Sequence, residues 1–411
     1  MLTFEEARAR ILAGVARLGS ERVPLDGAAG RVLAETLVAT APLPPFDHSA
    51  MDGYALRTSD LTGDGPFSLA LGAEESRAGR AAPALGSGQA CRIFTGAALP
   101  AGADAVVMQE DVTRENVTVD GPRIVFATRP KPGAHVRAAG EDIRPGQRAL
   151  VEGTRLQAGH LSLAASLDRG ELLVARRPRV AIVCTGDELR APGTPGGPAS
   201  IPESNGVALA ALCRQAGGEP RVWPAIGDDL EATTAALERA LRDADLLLTV
   251  GGVSVGDHDL VRPALARVGV SLDFYKVAIK PGTPLTFGRR DSADGQTSRV
   301  LGLPGNPASA LTTFLLFAAP LLRALQGDAA PTPLLLPARL KTALRHKPGR
   351  LEFARATLER EGRELLALPL ANQASGATTS TGWATAFVLV PLEAADLPAG
   401  AEVDVLRLGD V

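Results

Sequence analysis

Apolar residues near the start of the chain recur at the spacing of an α-helix. Thr3 and Glu6 have the spacing of a capping box, in which each side chain bonds the backbone of the other. Gly19 offers a stop signal. The pattern therefore predicts a first helix from about Phe4 to Leu18. The repeating apolar positions are Phe4, Ala7, Ile11, Val15 and Leu18.

The next hundred residues show a different pattern. Residues 55–140 are rich in glycine and contain short β-like runs without a helical period. Helical periodicity returns around His160 to Ala165. We therefore expect an α+β N-terminal domain built from residues 1–45 and 141–177, with a small β-rich domain, residues 46–140, inserted into it.

Buried strands and helices alternate beyond residue 178. Val180 to Cys184 is a continuous apolar run, as expected of a strand covered on both faces, and Leu246 to Val250 is predicted to be another buried strand. This alternation predicts a doubly wound parallel sheet over residues 178–327. Short β runs after it predict a separate C-terminal β domain, residues 328–411, so the whole chain reads as an α/β multidomain protein. Further predicted strands are Arg221–Ile226, Phe274–Ile279 and Val300–Leu303, and the predicted helices begin at Ser204 or Asn205, Asp228, Leu260 and Asn306.

Composition and charge exclude several classes of function. The 411 residues carry a formal net charge of −3, so no global field draws the protein to nucleic acid or to a membrane surface. Cys91, Cys184 and Cys213 form no Cys-x-x-Cys pair, which argues against a zinc cage and fits a reducing compartment. The first residues lack the apolar region of a signal peptide, and the apolar stretch from Ala310 to Leu322 is too short to span a bilayer. We expect a cytoplasmic protein with neither a nucleic-acid nor a membrane partner.

Two glycine-rich turns point to a ligand site. Residues 251–259 read GGVSVGDHD and residues 302–310 read GLPGNPASA, each between a predicted strand and a predicted helix. Ligands of open α/β sheets bind at such turns, where backbone N–H groups and a helix N-terminus meet an anion. The alternative for Asn306 and Pro307 is a purely structural role, in which Asn306 is the N-cap of a helix and Pro307 occupies its first position. Together the turns predict an enclosed site for a phosphate-like ligand and a metal.

Acidic residues follow the predicted strands. Asp187 and Glu188 come directly after the Val180–Cys184 strand, at the edge that faces the ligand crevice of such a sheet. Asp257 and Asp259 are either Mg²⁺ ligands or first-turn acids of a helix. Asp228 carries the same ambiguity, with helix capping favoured.

Two lysines suggest that the ligand is an anion. Lys276 and Lys280 lie four residues apart on a predicted strand, which places them on one face. Lysines on a buried strand face are costly unless an anion pairs with them, so ligand contact is favoured over a solvated edge.

Ser254 lies in a Gly-x-Ser-x-Gly sequence, the pattern of the serine hydrolase nucleophile elbow. The residues that follow, Asp257 to Asp259, delay the helix that an elbow enters at once. His258 is also too near in sequence to be the usual late histidine of a triad. The elbow is therefore the weaker interpretation.

The combined motifs resemble the molybdopterin molybdenumtransferases, a family to which the C-terminal domain of gephyrin is related. The resemblance covers nearly the whole chain in order. The matching segments are DHSAMDGYAL (47–56), IFTGAALPAGADAVVMQED (93–111), GEDIRPGQ (140–147), TGDEL (185–189), GGVSVGDHD (251–259), KPGTPLTFG (280–288) and GLPGNPASAL (302–311).

This resemblance implies an activity and an assembly. Adenylylated molybdopterin is cleaved with Mg²⁺, AMP is released, and molybdate is inserted to give molybdenum cofactor. The sheet domain would then be molybdopterin-binding-like. The subunits would have four domains and form an L-shaped homodimer with clefts shared between subunits, and molybdopterin adenylyltransferase is a candidate partner.

The resemblance also assigns site residues. The catalytic acids are Asp52, Asp142, Glu188, Asp228 and Asp259, of which Asp52, Glu188 and Asp259 would hold the metal. The expected substrate-binding residues are Thr95, Gly251, Gly252, Ser254, Lys276, Lys280, Pro304 and Pro307. This chain departs from the usual family pattern at several positions, which include His48, Cys184 and Thr283, the last of these replacing a frequent lysine.

Two other functions remain open at this point. One is a nucleotide-pyrophosphate hydrolase with the same α/β domain but without molybdenum transfer, against which the full set of flanking domains argues. The other is a non-catalytic scaffold that binds a partner peptide, against which the intact Asp52, Glu188 and Asp259 argue.

Overall fold

The computed structural model describes residues 1–117, 121–252, 260–292 and 295–410. The first helix, α1, spans Phe4–Leu12 and begins with the predicted capping box. The Thr3 N–H donates to Glu6 Oε2 (2.9 Å), and the Glu6 N–H donates to Thr3 Oγ1 (3.1 Å). The predicted end at Leu18 is wrong. Gly14 adopts a left-handed φ of +62°, and Leu18 packs on the core from a non-helical segment.

The chain then forms the first strands of the N-terminal domain and enters the inserted domain. The inserted domain contains a six-stranded sheet in the order β7-β4-β6-β5-β9-β8, and β3 pairs with β10 in a separate two-stranded sheet. The sheet encloses its own apolar core, so the predicted β-rich insertion is confirmed. The strands are β1 (Ser20–Pro24), β2 (Leu37–Val38), β3 (His48–Ser49), β4 (Gly53–Leu56), β5 (Phe67–Ser76), β6 (Gln89–Ile93), β7 (Ala105–Met108), β8 (Thr113–Val117), β9 (Gly121–Phe126) and β10 (Val136–Arg137).

On its return the chain completes the N-terminal domain. The strand β11 (Arg148–Leu150) pairs with β2, the helix α2 spans Ala158–Ser166, and β12 (Glu171–Ala175) pairs antiparallel with β1. A small core that includes Leu33 and Leu172 holds these elements together. This is the predicted α+β arrangement.

The next domain is built on a six-stranded sheet in the order β16-β13-β17-β21-β20-β18. The strands β16, β13, β17 and β21 run parallel, as predicted. The strand β20 was not predicted and runs antiparallel to both of its neighbours. The elements are β13 (Arg179–Cys184), β14 (Leu189–Arg190), β15 (Ile201–Pro202), α3 (Asn205–Gln215), β16 (Glu219–Val222), α4 (Leu230–Leu241), β17 (Leu246–Val250), α5 (Val261–Arg267), β18 (Ser271–Lys276), β19 (Ile279–Lys280), β20 (Pro284–Asp291), β21 (Thr297–Leu303), α6 (Pro307–Thr313) and α7 (Ala319–Leu325).

Helices cover both faces of this sheet. The helices α1, α3, α6 and α7 share one core with the sheet, and α4 and α5 share the other. A short π-helix, Phe314–Ala318, joins α6 to α7. The continuous helix Pro307–Leu325 is long and apolar enough to cross a membrane, but most of it is buried inside the protein. Its apolar character on all sides is what a helix at the centre of a core needs.

The C-terminal domain contains a third six-stranded sheet. Its order is β19-β23-β24-β22-β26-β25, and a further pairing of β23 with β25 joins the sheet back on itself. The strand β19, which belongs in sequence to the α/β domain, pairs parallel with β23 and so links the two domains. The remaining elements are β22 (Leu336–Leu340), β23 (Leu351–Glu361), β24 (Glu364–Pro369), α8 (Thr378–Trp383), β25 (Ala386–Val390) and β26 (Glu402–Arg407).

Candidate active site at the carboxyl ends of the parallel strands

Three turns meet where β13, β17 and β21 end. Gly251 follows β17 with a left-handed φ of +89°, and a Cβ at this position would lie 2.7 Å from the Thr185 carbonyl oxygen beyond β13. A Cβ on Gly305, beyond β21, would lie 3.4 Å from the Gly251 Cα. The backbones therefore touch at positions where a side chain would separate them. The two glycine-rich turns found in the sequence lie together at one edge of the sheet.

Thr185 carries an unsatisfied polar group at this junction. Its Oγ1 is buried and has no hydrogen-bond partner among the described residues. Gly252, with φ of +62°, passes so close that a Cβ there would lie 3.2 Å from Thr185 Oγ1. A buried hydroxyl without a partner is costly, and a ligand atom bound at this turn would satisfy it.

The acids that follow the strands differ in how much of their bonding capacity is free. Asp187 Oδ1 accepts the Asp228 N–H (2.9 Å), and Asp229 caps α4 by accepting the Ala232 N–H (2.7 Å). Glu188 and Asp228 are exposed, and neither carboxylate bonds to another described residue. Helix capping thus falls to Asp229, and Glu188 and Asp228 remain available to a ligand.

The turn before α6 is joined to the C-terminal domain. Pro307 occupies the first turn of α6 and Asn306 the N-cap position, but the Asn306 side chain makes no cap bond. It donates instead to Ser375 Oγ (3.1 Å), and the Ser375 carbonyl oxygen accepts the Ala308 N–H (3.1 Å). The expected asparagine cap is therefore replaced by backbone from another domain. Pro304, just before this turn, is buried.

Sequence reasoning missed Arg355, a buried residue of β23. Its Nη2 donates to the carbonyl oxygens of Asn372 (3.3 Å) and Ala374 (3.0 Å), in the loop that supplies Ser375. Its Nε and Nη1 have no partner among the described residues, and burial lowers the pKa of the guanidinium. The signal in the sequence was an arginine between two alanines, Ala354 and Ala356, on a strand position that faces a core.

The two lysines do not share a strand face, so that prediction is wrong. Lys276 ends β18 in the sheet of the α/β domain, whereas Lys280 lies on β19 in the C-terminal sheet. The chain changes sheets between them. Lys280 Nζ forms an ion pair with Glu352 Oε1 (2.9 Å), so one lysine already has a counter-ion.

A second cluster lies in the inserted domain. Asp52 Oδ1 accepts both the N–H (2.8 Å) and the hydroxyl (2.9 Å) of Thr95. The backbone N–H of Thr95, its hydroxyl and then the charge of Arg92 hold the pKa of this exposed carboxyl below its usual value. Nearer the N-terminal domain, Asp142 Oδ1 accepts from Arg137 Nη2 (2.9 Å) on the surface.

Within the described ranges, no hydrogen bond or ion pair joins the cluster of Asp52 and Thr95 to the α/β domain. The same ranges contain no group of three or more His, Cys, Asp or Glu side chains arranged to hold a metal. Ser254, Asp257 and Asp259 lie outside the described residues.

Three family signatures match the chain in order. The one described as MoeA N-terminal region (domain I and II) matches residues 2–167, the one described as probable molybdopterin binding domain matches residues 181–324, and the one described as MoeA C-terminal region (domain IV) matches residues 337–408.

Individual proteins are similar over most of their length. The molybdopterin molybdenumtransferase of Nostoc sp. is 40% identical over 75% of this chain and 70% of that protein. Molybdopterin molybdenumtransferase 2 of Mycobacterium tuberculosis is 36% identical over 94% of each. The crystal structure of the molybdopterin biosynthesis MoeA protein from Pyrococcus horikoshii OT3 matches with a TM-score of 0.83 and 29% identity, over 99% of this chain and 100% of that one.

Proposed function

The chain belongs to the molybdopterin molybdenumtransferase family, and we propose that it inserts molybdate into adenylylated molybdopterin with release of AMP. It is accordingly a transferase of molybdenum cofactor biosynthesis. The observation that supports this reaction most is the meeting of the two glycine turns beside the free carboxylates of Glu188 and Asp228. A phosphoanhydride and molybdate are both anions, and the turn backbones and nearby cations suit them.

The groups at the carboxyl edge of the sheet would have different roles in this reaction. The turns at Gly251 and Gly252 would hold phosphate oxygens, and the Thr185 hydroxyl would add a hydrogen bond that nothing else in the described structure uses. Lys276, Lys280 and Arg355 would offset charge that develops as the anhydride breaks. Such a reaction needs positioning and electrostatic stabilisation rather than a covalent nucleophile. Ser254 is then a hydrogen-bonding residue and not a nucleophile.

The acids suit a Mg²⁺ ion that the substrate helps to hold. Mg²⁺ takes one or two carboxylates together with phosphate oxygens, so a cage of three or more protein ligands is not required. Glu188 is unbonded, and Asp52 uses only Oδ1 toward Thr95, so both can offer an oxygen. We propose Glu188, Asp52 and Asp259 as the metal-holding acids, with Asp142 and Asp228 as further site acids. When bound, Mg²⁺ supplies Lewis-acid neutralisation of phosphate charge.

The assay that tests this function incubates the protein with adenylylated molybdopterin and measures AMP and molybdenum cofactor separately. We expect AMP release that requires a divalent metal, and cofactor that forms only when molybdate is present. AMP release without any cofactor, at every molybdate concentration, would favour the nucleotide-pyrophosphate hydrolase. Absence of both products with bound substrate would favour the scaffold.

We also propose a homodimer whose clefts are shared between subunits. The acid Asp52 and the acid Glu188 belong to different domains, and within one chain the described structure shows no bond between their clusters. A two-fold dimer has two equivalent clefts, each of which can take one cluster from each subunit. The described cysteines are buried and free, which fits a cytoplasmic location. Molybdopterin adenylyltransferase, which would supply the substrate, is the proposed partner.

A mixed dimer tests the shared cleft. Asp52→Asn and Glu188→Gln homodimers are both expected to be inactive. In the mixed dimer, one cleft receives both substitutions and the other receives neither, so about half the wild-type rate should return by counting clefts. A mixed dimer that forms but remains inactive would show that each site is built within one subunit.

A further inference from the structure

The ion pair of Lys280 is the outer end of a buried chain of hydrogen-bonded side chains. Glu352 Oε1 bonds Lys280 Nζ (2.9 Å), and Glu352 Oε2 lies 2.7 Å from His346 Nδ1. The Glu352 and His346 side chains are buried, while that of Lys280 is 37% exposed. The His346 backbone is fixed in turn, because its N–H donates to Asp396 Oδ1 (2.8 Å). The cluster therefore presents one ammonium group outward from a rigid, buried base.

The backbone packs the Lys280 loop against α6, the helix that begins at the candidate site. Lys280 and Glu352 are register neighbours on the paired strands β19 and β23, so their side chains leave the same face of the sheet. Two residues later, Gly282 approaches α6 so closely that a Cβ there would lie 2.5 Å from Thr313 Cγ2 and 3.7 Å from the Ser309 carbonyl oxygen. The Lys280 loop thus packs on the helix whose first turn follows Gly305.

A structural role alone does not account for this arrangement. A buried ion pair rarely stabilises a fold more than apolar residues of the same volume, because the charges lose their hydration. His346 Nε2 is buried without a partner among the described residues, so the cluster is not optimised for stability. The cluster does fix the direction of the Lys280 ammonium. Glu352 accepts a hydrogen bond from one N–H of this group, and the other N–H donors remain available to a ligand.

We infer that Glu352 and His346 are positioning residues that aim the Lys280 ammonium at the anionic substrate. The His346 Nδ1–H donates to Glu352 Oε2 and holds the carboxylate, and Glu352 Oε1 holds Nζ. This inference rests on the proposed function, in which Lys280 meets the phosphoanhydride. Neither residue touches the substrate, and both act through Lys280.

The expected kinetic effect follows from this indirect role. Glu352→Gln leaves the positive charge of Lys280 but removes the carboxylate that orients it. The substrate should therefore still bind, while the ammonium is no longer held in the direction of the substrate. We expect kcat to fall about tenfold or more, as for a misplaced catalytic group. KM should stay within about twofold, because uniform binding is retained. Glu352→Asp, which keeps the charge, should recover part of the rate.

The chain offers a matched control on the same strand. Glu359 also lies on β23 and also pairs with a lysine, Lys341, but this pair is exposed. Glu359→Gln should keep the wild-type kcat and KM. At the other end of the cluster, His346→Leu should lower kcat as Glu352→Gln does, whereas His346→Asn, whose amide can replace the Nδ1–H, should retain most of it.

Two measurements separate this role from a structural one. In a double-mutant cycle, Glu352→Gln should cost little in a Lys280→Ala background, because a residue that acts through Lys280 has nothing left to position. Independently of any turnover, acetylation of Lys280 followed by peptide mass spectrometry should become faster in Glu352→Gln and in His346→Leu, while acetylation of Lys276 stays unchanged. Additive losses in the cycle, or unchanged Lys280 acetylation in the folded variants, would overturn the inference.

The labelling also separates this inference from the proposed function. If wild-type protein makes no molybdenum cofactor but Lys280 labelling responds as expected, the function is wrong and the positioning stands. If cofactor forms and labelling does not respond, the reverse holds. Should Glu352→Gln fail to fold, the same comparison of kcat and Lys280 acetylation between His346→Leu and His346→Asn tests the inference.

Discussion

Replacing Gly251 by alanine tests the close contact on which the candidate site depends. The glycine has a φ of +89°, and an added Cβ would lie 2.7 Å from the Thr185 carbonyl oxygen and 3.2 Å from Thr185 Oγ1. A left-handed conformation costs an L-residue about 1–2 kcal/mol. Forcing an atom against backbone that cannot rotate away adds about 1–3 kcal/mol. The expected total is about 2–5 kcal/mol of lost stability.

Gly269→Ala is the matched control for this change. Gly269 lies in the same domain with a φ of +80°, but a Cβ there would meet nothing within 4 Å. Both variants share the left-handed penalty and the loss of entropy in the unfolded chain, so the difference between them isolates the contact with Thr185. We expect Gly251→Ala to be the less stable by about 1–3 kcal/mol.

Hydrogen exchange read on individual peptides is the suitable assay, because a multidomain chain does not unfold in one step. Exchange should accelerate in peptides that cover β13 and β17 for Gly251→Ala, and much less for Gly269→Ala. Gly251→Ala should also lose transferase activity, while Gly269→Ala keeps it. Equal acceleration in the two variants would refute the close approach of Gly251 to Thr185.

Two further substitutions test single contacts. Thr95→Val removes the hydroxyl that bonds Asp52, so the lowered pKa of Asp52 should move up toward its ordinary value, as ¹³C NMR of the carboxyl would show; an unchanged pKa would leave the Thr95 backbone N–H and the charge of Arg92 as its causes. Because the folded-state pKa is depressed, the stability that this carboxylate contributes is present above its ordinary value and is lost as pH falls through the lowered value. Arg355→Met should leave thermal stability nearly unchanged, since a buried, partly unpaired charge contributes little to it. The same variant should bind inorganic pyrophosphate about tenfold more weakly, because a charge-assisted hydrogen bond is lost. If calorimetry shows that the variant binds pyrophosphate with wild-type affinity, Arg355 has a purely structural role.

The sequence was most informative where a local pattern and the tertiary structure agree. Val180–Cys184 is apolar throughout and Leu246–Val250 is apolar except for Thr249, and both form inner strands of the sheet. The capping box at Thr3 needs only four consecutive residues and was correctly predicted. The acids at Asp187 and Glu188 were placed at the right edge of the sheet because a parallel strand fixes where its end lies.

Other features depend on contacts that no local pattern contains. The helix α1 ends at Leu12, where Ala13 becomes extended and Gly14 turns left-handed, although the apolar period continues through Leu18. The Asn306 cap was displaced by Ser375, which is distant in sequence and belongs to another domain. The strand that was expected to carry both Lys276 and Lys280 divides between two sheets, because β19 finds its partner in the C-terminal domain.

The most direct test of the central claim compares two glutamates of the same sheet. Glu188 lies beyond the carboxyl end of β13, and Glu219 is an exposed residue at the opposite, amino-terminal end of the parallel strand β16. AMP and molybdenum cofactor should be measured together for wild type, Glu188→Gln and Glu219→Gln with adenylylated molybdopterin, Mg²⁺ and molybdate. We predict equal amounts of the two products in wild type and in Glu219→Gln, and a loss of about 10²-fold or more in Glu188→Gln, the scale of losing one electrostatic group at a transition state. A Glu188→Gln variant that forms cofactor at the wild-type rate would contradict a site at the carboxyl ends of these strands.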